Sequence, residues 1–203
     1  MPSLNDGPRS PLFKSLAFSG GVSLTELASA GLSPEMAAAL PHLPAGEGVA
    51  WGIPFQIERA AVLGEAPVTL TWEPVAAPWL VFLHTSDLRP LVANAHGLYA
   101  PVGGMGRLNE HAADYVLLYA DEREERVPIR RRHQIGAFQR SWGENCFEAV
   151  AQRKPKSLPA HHEQPTESWG RSQTRASASD DGPWVNWLYA WANPRPDVPL
   201  VGV

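Results

Sequence analysis

The chain has 203 residues, a net charge of −4 with both signs interspersed, and one cysteine. This length allows a single domain with a substantial core, and the mixed charge gives no sign of nucleic-acid binding. One cysteine excludes an intrachain disulfide and a cysteine-rich zinc site, and no apolar run is long enough to predict a membrane-spanning helix. The 20 prolines, 17 glycines and eight tryptophans favour many short elements, and therefore an all-β fold with a large aromatic core or a stacking surface.

Short helical turns are predicted only near the beginning of the chain. Residues 1–11 are polar and rich in proline and glycine, which predicts a disordered lead-in. Ser23 and Glu26 fit a capping box, so a short helix could begin there. Ser33 as N-cap and Pro34 at the first helical position predict a second short helix, which the next proline ends.

A period of two begins near Gly48 and predicts strands for most of the remaining chain. The segments 79–84 and 115–119 are apolar on both faces, so we expect them to be central and covered twice. The acidic segment 121–124 is expected to turn the chain into an antiparallel return. The predicted strands are 49–57 with an interruption at Pro54, 68–72, 79–84, 115–119 and 126–129, and the predicted loops are 88–107 and 152–181.

The tail alternates so that four large apolar side chains, Val185, Trp187, Tyr189 and Trp191, share one strand face. Such rings could stack on sugars, but an aromatic stripe at strand period is more typical of a core. A proline-rich turn and a few strand residues follow. This ending predicts either an unusually short closing strand or a fragment of a longer protein.

Three motifs in order carry a resemblance to a known family. They are Leu43-Pro44-Ala45-Gly46 with Gly52-Ile53-Pro54-Phe55-Gln56-Ile57, then Leu80-Val81-Phe82-Leu83-His84-Thr85 with the strand, turn and return over 115–129, and then Asn193-Pro194-Arg195-Pro196. Together they resemble the galactose-binding-domain-like β-sandwich (jelly-roll) modules attached to bacterial polysaccharide-degrading enzymes, glycoside hydrolases among them. The resemblance covers residues 43–203. The chain departs from it at Asp121, which is not followed by the usual glycine, and at 130–132, where three arginines replace a glycine-containing turn.

The resemblance implies an all-β fold in which residues 12–203 form one antiparallel β-sandwich. It also implies a non-catalytic carbohydrate-binding or scaffold module, whose partner would be a glycan or an adjoining catalytic domain. Such a protein would work outside the cytoplasm. Two alternatives stay open at this point: a small glycoside hydrolase or polysaccharide lyase built on the sandwich, and a protein-interaction domain.

Five residues are candidates for ligand contact. Trp142 and Trp169 lie in polar, glycine-containing stretches, where a tryptophan either pins a loop or contacts a ligand. Arg132 and His133 end a basic run, and Arg171 follows Trp169. Arginine forks match carboxylate and sulfate groups, although a solvated strand end beside neighbouring glutamates is the simpler explanation of the basic run.

No metal, cofactor or catalytic residue is predicted. His161-His162-Glu163 lacks the spacing of a helical zinc motif. The adjacent Asp180 and Asp181 could supply a structural calcium, but such pairs more often form a turn. Nucleophile-elbow and phosphate-loop motifs are absent from the sequence, and nothing around Cys146 indicates an activated thiol.

Overall fold

A computed structural model describes residues 2–89, 93, 95–98, 106–140, 144–153 and 182–203. Within these ranges the fold consists mostly of short strands, with one short α-helix and two 3-10 turns. The elements in chain order are β1 Val22–Ser23, the 3-10 turn Leu27–Ser29, α1 Pro34–Ala39, the 3-10 turn Leu40–His42, β2 Gly46–Ala50, β3 Ile53–Ile57, β4 Arg59–Ala60, β5 Thr71–Val75, β6 Trp79–His84, β7 His111–Tyr119, β8 Glu124–Arg130, β9 Ala149–Ala151, β10 Trp187–Ala192 and β11 Leu200–Gly202.

Helix α1 forms where the sequence predicts it. The Ser33 hydroxyl accepts a hydrogen bond from the Met36 N–H at 3.0 Å, and Pro34 fills the first helical position, where its missing N–H costs nothing. The turn after Ser23 is shorter than a helix. There the Glu26 carboxylate accepts hydrogen bonds from the backbone N–H and the hydroxyl of Ser23, and only a three-residue 3-10 turn follows.

Two larger antiparallel sheets form the centre of the fold. One has the strand order β5-β11-β7-β8 and the other β6-β10-β9, while β1 with β4 and β2 with β3 form two smaller sheets. One hydrophobic cluster draws side chains from both larger sheets. Leu117, Ile129 and Leu200 come from the first sheet, and Trp187 and Tyr189 come from the second. The prediction of a β-rich, antiparallel fold with little helix is confirmed.

The aromatic tail belongs to the core. Val185, Trp187, Tyr189 and Trp191 are all buried, so the interpretation of this stripe as packing rather than as a binding surface is confirmed. Strand β10 lies between β6 and β9, so β6 is an edge strand and the expectation that segment 79–84 is central is wrong. Both faces of β6 are apolar because Leu80 and Phe82 pack against one cluster and Val81 and Leu83 against another. The short strand β11 lies between β5 and β7, which makes it an interior strand of its sheet despite its length of three residues.

The predicted strand 49–57 is instead a tight hairpin. Trp51 and Gly52 have φ angles of 55° and 81°, the two positive values that a two-residue hairpin turn of type I′ requires. Alternation continues on both arms of a hairpin, so the period of two did not reveal the turn. The Trp51 indole N–H donates to the Ala151 carbonyl at 2.7 Å, and the tryptophan therefore covers part of edge strand β9.

The beginning of the chain packs on this hairpin. The Leu4 carbonyl accepts a hydrogen bond from the Val49 N–H at 2.8 Å, and Leu4 is buried with Ala50 and Leu188. This placement differs from the disordered lead-in that the polar composition of 1–11 predicts. The segment is held by the buried Leu4 side chain together with backbone hydrogen bonds from Asp6 to Val49 and from Ser10 to Gly52.

The β7–β8 hairpin closes through a longer turn than Asp-Gly would give. Tyr119 and Arg123 pair at its base, and Glu122 takes a left-handed φ of 65° as the third loop residue. Three-residue hairpin loops commonly end in such a residue. Arg132 has a φ of 61°, so an arginine adopts the left-handed conformation at the place where the resemblance leads us to expect a glycine.

One further predicted strand has different bounds in the structure. The strand predicted over 68–72 forms at Thr71–Val75, while Leu70 pairs with Val203 through two backbone hydrogen bonds. Much of the predicted loop 88–107 and nearly all of 152–181 lie outside the described residues. In the part of the chain that the structure describes, no helix has the length and apolar character needed to cross a membrane.

Candidate functional site

The structure places two of the five sequence-predicted ligand residues. Arg132 and His133 follow β8 after Arg131 and are partly buried. Trp142, Trp169 and Arg171 lie outside the described residues, as do the histidine pair 161–162 and the aspartates 180–181.

Arg132 and His133 belong to a pair of segments, 131–134 and 144–148, which we call the loop pair. The Arg132 carbonyl accepts a hydrogen bond from the Phe147 N–H at 3.0 Å, and the His133 carbonyl accepts one from the Glu148 N–H at 3.0 Å. These backbone hydrogen bonds fix the two segments side by side. The loop pair is therefore a defined surface feature that follows β8 and precedes β9.

An exposed aromatic ring stands on the loop pair. Phe147 is 71% exposed, and its ring centroid lies 5.2 Å from that of His133. His133 in turn has polar neighbours: the Glu148 carboxylate lies 3.7 Å from His133 Nδ1 and accepts a hydrogen bond from Gln134 Nε2 at 2.9 Å. The surface thus offers an apolar face beside hydrogen-bonding groups.

Next to the loop pair lies an arginine cluster, which consists of Arg89, Arg107 and Arg131 around the Glu110 carboxylate. Glu110 Oε1 is 3.3 Å from Arg89 Nη1 and 3.6 Å from Arg131 Nε, and Glu110 Oε2 is 3.3 Å from Arg107 Nη1. Burial lowers the pKa of Arg131, the Glu110 charge opposes this, and the neighbouring Arg89 and Arg107 lower it further. Three guanidinium groups therefore share one carboxylate.

Hydrogen bonds tie this cluster to helix α1. Arg131 Nη1 donates to the Ser86 hydroxyl at 3.1 Å and to the Asp87 carbonyl at 2.9 Å. The Asp87 carboxylate accepts from the N–H and the hydroxyl of Ser33, each at 2.7 Å, and from the Leu88 N–H. The residue that caps α1 thus also holds the loop after β6 in position.

The basic run is more than a solvated strand end. Arg130 is exposed as that explanation requires, but Arg131 is buried, and its partners are Ser86, Asp87 and Glu110 rather than the glutamates of the β7–β8 turn. The sequence held a signal for this burial, because Arg131 continues the inward-facing alternation of Val127 and Ile129. Phe147 has no comparable signal, since it follows no periodic run.

A histidine and a tyrosine form an internal polar link. His84 Nε2–H donates to the Gln134 carbonyl at 2.9 Å, because a carbonyl can only accept, and Nδ1 then accepts the Tyr115 O–H at 2.7 Å. Burial lowers the pKa of His84 to about 4 and raises that of Tyr115. The neutral imidazole has both nitrogens bonded to protein groups, so the link joins β6, β7 and the loop pair. Sequence reasoning did not identify this link.

The thiol of Cys146 is protonated at neutral pH. Burial raises its pKa to about 12, while the charges of Arg132 and Arg140 act weakly in the opposite direction. Among the described residues, no three or more His, Cys, Asp or Glu side chains are grouped so that they could hold a metal ion. The loop pair and the arginine cluster thus bring an exposed aromatic ring and charged groups to the described surface.

Comparisons with protein-family models, with curated proteins and with solved structures find no match to this chain.

Proposed function

We propose that the chain is a non-catalytic carbohydrate-binding module of a larger carbohydrate-active protein, built as a jelly-roll β-sandwich of the galactose-binding-like type. The fold part of this proposal is supported by the two larger antiparallel sheets that contribute to one aromatic core, and by the ordered motifs of the sequence. Glycan binding is supported by the loop pair.

The observation that carries the binding role is the exposed Phe147 ring with polar neighbours. An aromatic face can pack on the C–H face of a sugar ring, and its neighbours can bond the hydroxyls at the rim. His133 supplies such a group beside Phe147, and Glu148 and Gln134 are linked to His133 and to each other. The backbone hydrogen bonds of the loop pair hold the segment that carries the ring in place before binding, which lowers the entropic cost of association.

The non-catalytic choice is supported by the titratable groups of the described residues. The imidazole of His84 and the thiol of Cys146 are buried in their uncharged forms, and three arginines hold the Glu110 carboxylate. A glycoside hydrolase needs two carboxyl groups on either side of the sugar, one of them with a raised pKa. None of the carboxyl groups with a resolved pKa shift in the described ranges has a raised value.

Affinity electrophoresis on a panel of soluble polysaccharides, together with a glycan array, tests the proposal. We expect retention of the wild-type chain on at least one polysaccharide and a loss of affinity of about tenfold or more for Phe147→Ala, as for a central aromatic contact. Trp79→Ala is the matched control, because it removes a 54% exposed ring from edge strand β6.

Absence of retention on every polysaccharide would contradict the proposal. Self-association on a sizing column that Phe147→Ala abolishes would instead favour the protein-interaction role, since Phe147 and the 44% exposed Val150 are apolar and close in sequence.

A further inference from the structure

We propose that the glycan bound by this module is acidic, and that the guanidinium of Arg89 binds its carboxylate or sulfate group. This inference depends on the proposed glycan-binding function and names the class of ligand. Arg131 belongs to both the arginine cluster and the loop pair. The carbonyl of the next residue, Arg132, accepts the backbone hydrogen bond from the Phe147 N–H, so the two features are adjacent along the chain.

The arginine cluster holds three guanidinium groups around one carboxylate. Glu110 Oε1 is buried and faces Arg89 and Arg131 at ion-pair distances, yet neither it nor Arg131 Nε has a hydrogen bond of good geometry. Like charges lie close together, since Arg89 and Arg107 both lower the pKa of Arg131. A second anion near Arg89 would reduce this repulsion.

The three arginine side chains of the cluster differ in their exposure to solvent. The side chains of Arg131 and Arg107 are 9% and 14% exposed, whereas that of Arg89 is 59% exposed. The side chain of Glu110 is 21% exposed, well below that of Arg89, so the most exposed charge of the cluster is positive. A planar guanidinium presents paired donors that match the oxygens of carboxylate and sulfate.

Asp87 is a further carboxylate near Arg131, and its charge raises the pKa of that guanidinium. The oxygens of Asp87 already accept hydrogen bonds from Ser33 and Leu88, and its contribution to Arg131 is through its carbonyl and a weak charge effect. Arg89 is therefore the member of the cluster most accessible to an anion arriving from solvent.

The test compares matched acidic and neutral polysaccharides by affinity electrophoresis. The probes are polygalacturonate and its methyl ester, and a sulfated galactan and its desulfated form. We expect retention on an acidic member at least tenfold stronger than on its neutral counterpart, weakening as salt screens the charge. Arg89→Ala should reduce that affinity by about tenfold, and Arg89→Lys should restore part of it, because a charge-assisted hydrogen bond contributes on this scale.

Arg123→Ala is the control, since it removes a 74% exposed arginine from the β7–β8 turn. Equal affinity for acidic and neutral members would overturn the inference and leave the glycan-binding proposal standing. A loss in Arg89→Ala no greater than in Arg123→Ala would also overturn it, as would a lowered melting temperature of Arg89→Ala with unchanged binding. If neither the four probes nor any polysaccharide of the wider panel retained the protein, both proposals would be overturned.

Discussion

The side chain of Asn193 joins three parts of the fold, and its replacement by alanine should destabilise the protein strongly. Its Oδ1 accepts the Tyr119 O–H at 2.6 Å and the Arg195 N–H at 2.9 Å, and its Nδ2 donates to the Ala77 carbonyl at 2.9 Å. Asn193 is buried, as is Tyr119. Asn193→Ala would remove all three hydrogen bonds and leave a buried hydroxyl without this partner.

The expected loss in the free energy of unfolding follows from the number of hydrogen bonds removed. Each hydrogen bond contributes about 1 kcal/mol net, so the free energy of unfolding should fall by about 3 kcal/mol. In a domain of this size each kcal/mol lowers the melting temperature by about 2–4 °C, which gives a decrease of about 6–12 °C.

Urea unfolding followed by tryptophan fluorescence measures this change. A double-mutant cycle with Tyr119→Phe isolates the hydroxyl contact, and we expect a coupling free energy of about 1 kcal/mol between the two substitutions. Tyr119→Phe keeps the ring beneath the Arg195 guanidinium, which lies 4.6 Å from its centroid. A destabilisation by Asn193→Ala below about 1 kcal/mol, or a coupling of zero, would refute the reasoning.

Two further predictions concern the core. Gly136→Ala should destabilise the protein by about 3 kcal/mol in urea unfolding, because the new Cβ would overlap the buried indole of Trp187. Gly64→Ala is the control and should be neutral, since nothing lies within 4 Å of a Cβ at that position. Equal effects of the two substitutions on the free energy of unfolding would contradict this prediction. Burial lowers the pKa of His84 from 6.5 in the unfolded chain to about 4 in the folded protein. Between these pH values the unfolded chain binds a proton at His84 and the folded chain does not. Acidification through this window should therefore lower the free energy of unfolding by up to about 3 kcal/mol. His84→Gln should lose that part of the pH dependence, and an imidazole that titrates near pH 6.5 by NMR in the folded protein would show the idea to be wrong.

The sequence predicts those elements whose local signals agree. Ser33 and Pro34 mark the start of α1, and the run 79–84, apolar on both faces, marks β6. The turn at Trp51 was missed because it needs two positive φ angles, which tryptophan rarely supplies, and because a hairpin keeps the same alternation on both arms.

The site was predicted only in part because it is built from long-range contacts. Arg132 and His133 are identifiable as a basic run, but their neighbour Phe147 is brought to them by backbone hydrogen bonds between distant segments. Glu110 likewise joins Arg89 and Arg131 from three separate loops. No periodicity or short motif encodes such pairings, since they depend on how the sheets bring the loops together.

The position of β11 has a consequence for the order in which the molecule can fold. Its three residues are hydrogen-bonded between β5 and β7, which are made much earlier during synthesis. Until residues 200–202 leave the ribosome, the two older strands lack the partner that joins them, and the inner face near Leu117 and Trp72 stays incompletely covered. Closure of this sheet is therefore a late, long-range step, and a nascent chain that waits for it is exposed to aggregation.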